Sequence, residues 1–268
     1  MTSVSDKPVS LADVLAFYLE AGVDEPLLEQ AIDRFAATPP RARVEAVQPT
    51  SSAPAPGRVQ QAVPVVPDEA QAALARERAS RASSLDELRE IMANFEGCNL
   101  RLTAKNLVFA DGNPEADLML VGEAPGRDED IEGLPFVGKS GQLLDRILAA
   151  IGRDRQSAYI ANVVPWRPPG NRKPTPIETE ICRPFIERQI ELADPKVLVA
   201  VGASSAHTLL RTNEPITRMR GNWRTFTTGS GKEIPIMPTL HPAYLLRTPA
   251  HKKLVWRDFL EIKARLNS

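Results

Sequence analysis

Three short segments carry the side chains best suited to chemistry in this chain: Gly122-Glu123-Ala124-Pro125-Gly126, Asn162-Val163-Val164-Pro165-Trp166 and Thr239-Leu240-His241-Pro242-Ala243. Each follows a short apolar run with the character of a β-strand. In an open sheet of parallel strands, ligands bind in the crevice beyond the carboxyl ends, so these positions are expected to converge although they are far apart in sequence. They would bring together a carboxylate, an amide that both donates and accepts hydrogen bonds, and an imidazole that donates while neutral. Taken alone, the Gly-Glu-Ala-Pro-Gly run suits simple turn geometry equally well.

The elements that must position these groups are legible from periodicity. From Asp117 onward, strand patterns (118–121, 159–164, 197–201, 234–239) alternate with helical ones (143–151, 177–192, 203–210, 251–266). Strands alternating with helices imply a parallel sheet covered on both faces. The expected fold is a three-layer α/β/α sandwich with a central, mostly parallel four-stranded sheet, and Trp223 and Phe226 are read onto an edge strand. Thr175 can cap the helix that follows it, with Pro176 at the first helical position and Glu178 completing a capping box.

Ahead of this body, residues 1–37 carry apolar side chains at helical spacing, interrupted at Ala21-Gly22-Val23-Asp24, and read as a helical hairpin. Residues 38–67 are rich in Pro and Ala with few large apolar side chains, a composition that reads as a linker. The catalytic body is expected over residues 68–268, entered by a helix with Ser84 and Glu87 in capping-box register. The chain has 268 residues, 43% hydrophobic and 25% charged, ordinary values for a water-soluble globular protein. No stretch approaches the roughly 20 apolar residues of a membrane span, and no basic-then-apolar leader is present, so a cytoplasmic location without membrane contact is expected. Cys98 and Cys182 are too few for a disulfide framework and form no recognised zinc spacing with the three histidines, so both read as buried thiols. The net charge is −1, yet residues 211–257 hold nine Lys or Arg against two acids, a stretch able to meet phosphates.

Joined in order, the motifs are far more specific than any one of them. Gly122 to Gly126, Glu129-Asp130, Gly133-Leu134-Pro135-Phe136-Val137-Gly138, Gly141 to Asp145, Asn162, Arg167-Pro168-Pro169-Gly170-Asn171-Arg172 and His241-Pro242-Ala243 together resemble the uracil-DNA glycosylase superfamily, its family 4 branch in particular. The resemblance covers residues 95–266. It implies a monofunctional glycosylase acting on uracil-containing DNA as a monomer, leaving an abasic site, with no metal in the chemistry. An enzyme acting on a base must first rotate it out of the duplex into a pocket that stacks one face and hydrogen-bonds its polar edge. The resemblance assigns stacking to Phe136 and edge recognition to Asn162, with Ala124 also in the uracil pocket. It places His241 on uracil O2 as negative charge grows there, and Glu129 near the anomeric carbon, with Glu123 and Asp130 as alternatives. For DNA contact, Arg167 and Arg172 flank the loop beside Asn162, the resemblance points to Leu245, Leu246 and Arg247 as the loop that enters the minor groove, and Lys252 lies in the basic stretch able to meet phosphates.

The chain departs from that family in one respect that bears on a cofactor. Family 4 enzymes hold an iron–sulfur cluster through four cysteines, but Phe95 and Trp166 stand at the first and third of these positions and only Cys98 and Cys182 remain. No cofactor is therefore expected. Nor does residues 166–175 contain the inserted histidine loop of relatives that bind uracil covalently. Two other function classes compete: a silent module that binds uracil or damaged DNA and recruits a protein partner through the N-terminal hairpin, and a nucleotide hydrolase using the Gly122 turn as a phosphate cradle. Retention of Glu129, Asn162 and His241 disfavours the first, and the absence of a Walker lysine pattern disfavours the second.

Overall fold

The structure is a computed structural model that describes residues 68–267; the expected hairpin and linker lie outside the described residues. Two helices lead in, α1 (Asp68–Arg81) and α2 (Leu85–Ala93). Ser84 caps α2 by accepting from the Glu87 amide, while the Glu87 carboxylate reaches Ser83, one residue before the cap. The body then runs β1 (Asp111–Gly112), β2 (Leu118–Gly122), α3 (Arg127–Glu132), α4 (Lys139–Ala150), β3 (Tyr159–Asn162), α5 (Pro176–Ala193), β4 (Val197–Val201), α6 (Ala203–Leu210), α7 (Ile216–Met219), β5 (Arg224–Thr227), β6 (Glu233–Thr239), α8 (Pro242–Arg247) and α9 (Lys252–Leu266).

These strands form one sheet in the order β1-β3-β2-β4-β6-β5. The central four are parallel, and β1 and β5 close the two edges in antiparallel pairing. The sheet therefore has six strands and not the expected four. Two-residue β1 is too short to show alternation, and β5 buries only Phe226 of its four residues, as an edge strand does.

Alternation along the central strands builds both cores. Met119 and Val121 of β2 face one side with Leu198 and Ala200 of β4, packed beneath α1, α2, α5 and α6; Leu118 and Leu120 face the other with Val197, Val199 and Val201, beneath α4 and α9. A strand buried on both faces reads as a continuous apolar run, which is why Leu-Met-Leu-Val and Val-Leu-Val-Ala-Val were recognisable. The Thr175 capping box forms as expected, with Thr175 accepting from the Glu178 amide at 3.3 Å and Glu178 accepting from the Thr175 amide at 2.7 Å. Among the described residues no helix is long and apolar enough to cross a membrane.

Candidate active site

At the carboxyl edge of the sheet, β2 and β3 end side by side, Gly122 opposite Asn162. Their pairing continues past the strands, with the Val163 amide donating to Gly122 and the Val164 amide to Glu123, each at 3.0 Å. Gly122 has a specific reason to lack a side chain. A Cβ there would lie 2.4 Å from Asn162 Oδ1 and 2.6 Å from Phe136 Cζ, so the bare backbone lets the amide and the ring close over it. Asn162 is only 5% exposed, and its side-chain amide has no hydrogen-bond partner among the described residues. It lines a cavity of ≈ 200 Å³ together with Glu123, Ala124, Glu129, Phe136, Ser140 and His241. That volume is below the roughly 300–1,000 Å³ typical of drug-sized ligands and suits a single base.

Phe136 is buried, with its backbone in the left-handed region at φ 55°. Its ring lies against His241, centroids 5.5 Å apart and planes 26° from parallel. His241 caps α8 through its own side chain, Nδ1 accepting from the Ala243 amide at 3.1 Å. With Nδ1 an acceptor, the ring proton of the neutral form sits on Nε2. Burial, and secondarily the Arg247 charge, push the imidazole down to about 4, while Glu129 acts the other way. At neutral pH His241 is therefore an uncharged N–H donor.

The three candidate acids have three different surroundings. Glu129 is buried and accepts from three backbone amides: Gly126 at 3.1 Å, Val137 at 3.1 Å and Gly138 at 3.0 Å. It straps the turn after β2 to the residues just beyond Phe136. Asp130, the neighbouring acid, turns away from the cavity and is 2% exposed; one oxygen accepts from the Lys105 and Asn106 amides at 2.8 and 3.2 Å, and the other is 3.8 Å from Arg167. Burial and backbone capping thus remove Asp130 from the reacting groups. Glu123 lines the cavity half-buried, with no side-chain partner among the described residues.

Around the rim the expected DNA contacts divide. Arg167 Nε donates to Asn171 at 2.7 Å, and Arg172 forms a two-pronged pair with Glu178 at 2.6 and 2.8 Å, so both guanidiniums order the loop after β3. Leu245 is fully buried in the core beneath α9 and offers nothing to a duplex, whereas the adjacent Leu246 is 44% exposed. Arg247 and Lys252 are exposed. Three cavity residues escaped sequence reasoning: Lys173, exposed beside Arg172, the adjacent Pro174, and Ser140, in the first turn of α4. Lys173 follows Arg-Pro-Pro-Gly-Asn-Arg directly, and its place in that basic run was the available signal.

Residues 109–260 match the uracil DNA glycosylase superfamily. The chain belongs to that superfamily. Its similar relatives include the type-4 uracil-DNA glycosylase of Saccharolobus solfataricus, 38% identical over 69% of this chain and 88% of the relative. Those of Archaeoglobus fulgidus and Thermotoga maritima are 40% and 39% identical, each over 67% of this chain, and over 92% and 95% of their own lengths. Within a member of this superfamily, the cavity at the ends of β2, β3 and β6 is the place to seek the base-recognition site. It also holds most of the motifs read from the sequence.

Proposed function

We propose that the chain removes uracil from DNA by hydrolysing the N-glycosidic bond, with Asn162 reading the pyrimidine edge and Phe136 stacking on the base. The observation that carries this reading is the His241 ring, held neutral with its Nε2–H free to donate beside an unpartnered amide. As the C1′–N1 bond breaks, the uracil leaves as an anion and the sugar becomes oxocarbenium-like. His241 donates to the developing charge on O2 without first surrendering a proton, the pre-arranged electrostatic stabilisation that lowers such barriers most. On the sugar side, Glu123 orients the water that attacks C1′ and takes up its proton, since both oxygens of Glu129 already serve backbone amides. Lys173, Arg247 and Lys252 meet phosphates and Leu246 fills the gap left in the stack. The enzyme works on uracil-containing DNA in the cytoplasm, as a monomer.

An iron–sulfur cluster, which the family 4 resemblance implies, does not fit the residues present. Four thiolates normally hold one, whereas here two buried thiols touch each other, Cys182 Sγ to Cys98 Sγ at 3.9 Å, in one buried core with Phe95 and Trp166. The enzyme is therefore proposed to act without a cluster. Incubating a uracil-containing oligonucleotide with the protein and cleaving abasic sites with alkali tests the activity. Asn162→Ala and His241→Ala are expected to slow excision about 10²-fold or more, the scale for losing one stabiliser of transition-state charge. Near wild-type rates in both variants would put the reaction elsewhere.

A further inference from the structure

Arg155 lies outside the cavity, in the single 3₁₀ turn between α4 and β3, and no step above uses it. Its guanidinium nevertheless converges on the backbone that carries Phe136. Nη1 donates to the Pro135 carbonyl at 3.1 Å and pairs with Asp111, Nη2 donates to the Phe136 carbonyl, and Nε donates to Asp145 at 2.9 Å. Two consecutive carbonyls are thus gripped by one planar fork, and the fork is itself fixed by carboxylates from β1 and α4. A rigid, multidentate arrangement of this kind is what distinguishes arginine from lysine.

The residue gripped is the one that needs restraint. Phe136 holds φ 55°, a region that side-chain-bearing residues seldom occupy and that persists only where surrounding structure over-determines it. On the side of α4, Gly141 supplies the rest of the bracket: a Cβ there would come within 1.6 Å of the Phe136 oxygen, so the helix can approach only because that position is bare. Released from this bracket, the peptide would relax toward ordinary dihedrals and swing the ring out of its place over Gly122 and against His241.

We propose that Arg155 is a positioning residue for base recognition, fixing the left-handed backbone of Phe136 so that its ring presents a preset stacking face to the flipped uracil. This rests on the reading of Phe136 as that stacking face. The test is a double-mutant cycle in the full-length chain, using Arg155→Ala, Arg155→Lys, Phe136→Ala and Arg155→Ala/Phe136→Ala. The readouts are kcat and KM on a uracil-containing oligonucleotide and inhibition by free uracil, measured well below each variant's melting temperature.

Arg155→Ala is expected to lower kcat/KM about 10²-fold, the scale of a misplaced recognition group, and to weaken inhibition by free uracil. Arg155→Lys, which keeps the charge beside Asp111 and Asp145 but cannot grip both carbonyls, should fall between it and the wild type and stands in if Arg155→Ala fails to fold. With Phe136 already removed, Arg155→Ala should add little, since two residues acting through one contact are not additive. An Arg155 loss of equal size with and without the Phe136 ring, or undiminished inhibition by uracil, overturns the positioning role. A wild-type rate in Phe136→Ala instead removes the stacking reading, and the positioning role with it.

Discussion

The chemistry at this site turns on which side chains the backbone has already claimed. Glu129 and Glu123 both line the cavity, yet only Glu123 has its carboxylate free there. Glu123→Gln is therefore expected to depress kcat while leaving the denaturation midpoint near the wild type. Glu129→Ala leaves three part-buried amides without this acceptor and should cost about 3 kcal/mol or more, because hydrogen bonds to charged groups contribute about 1.5–3 kcal/mol each. Paired urea titrations and single-turnover assays separate the two, and the reverse pattern would return the water-orienting role to Glu129. His241 gives a pH signature. With its folded value at about 4, against 6.5 for an unperturbed imidazole, it stays neutral through the physiological range. The acid limb of the excision profile that belongs to His241 should lie near pH 4; activity that falls as pH rises through 6–6.5, and loses that dependence in His241→Asn, would mean that the imidazolium is the working form. The stability sign follows from proton counts. Between about pH 6.5 and 4 the unfolded chain binds the extra proton and the folded one does not, so this group makes folding less favourable as pH falls through that window and contributes nothing above it.

At the scale of elements, what was legible in the sequence and what was not has a consistent physical cause. The parallel strands announced themselves because each is built on an apolar run, and three of them stop at or near a residue with a distinct job: Gly122, Asn162, and, two residues past β6, His241. Short elements did not. In six-residue α8 and α3, less than two turns each, the sequence holds too few residues to fix a buried face, so adjacent Leu245 and Leu246 or Glu129 and Asp130 could not be told apart. The distribution of the acids depended on amides from residues 105, 106, 137 and 138, which are tertiary partners no local pattern encodes. Glycines at element ends carry a prediction that separates recognition from folding. A methyl at Gly122 would collide with the movable Phe136 ring and Asn162 amide, whereas one at Gly141 would collide with the Phe136 backbone. Gly122→Ala should cut excision severely with modest destabilisation. Gly141→Ala should destabilise by about 1–3 kcal/mol or more, as overpacking does. Thermal melts and excision rates on both variants check the contrast, and equal melting shifts would contradict it.

Over the whole molecule, the open question is what joins the entry segment to the sheet when half of a cluster's ligand set is missing. Phe95, Cys98, Trp166 and Cys182 belong to a single buried core with Phe185, which meets Phe95 edge-on at 5.0 Å and 70°. Cys98 sits just before the 3₁₀ turn Asn99–Leu102, Trp166 lies four residues beyond Asn162, and Cys182 and Phe185 are on α5, so this core ties the entry segment to the β3 loop and to the helix covering the sheet. The contact between the thiols lowers the Cys98 value and raises that of Cys182. Both sulfurs are buried, and the raised Cys182 value marks that thiol as a small packing group of low reactivity. If aromatic burial has replaced the cluster, the energetic weight must rest on the rings. Trp166→Ala should cost about 3–5 kcal/mol, the usual toll for removing a buried large aromatic, while Cys98→Ala/Cys182→Ala should fold and still excise uracil. Protein purified anaerobically should be colourless and carry no stoichiometric iron or sulfide. Finding both elements, together with loss of folding in the double cysteine variant, would show that thiolates and not rings hold this corner, with the missing ligands drawn from outside the cysteines of this chain.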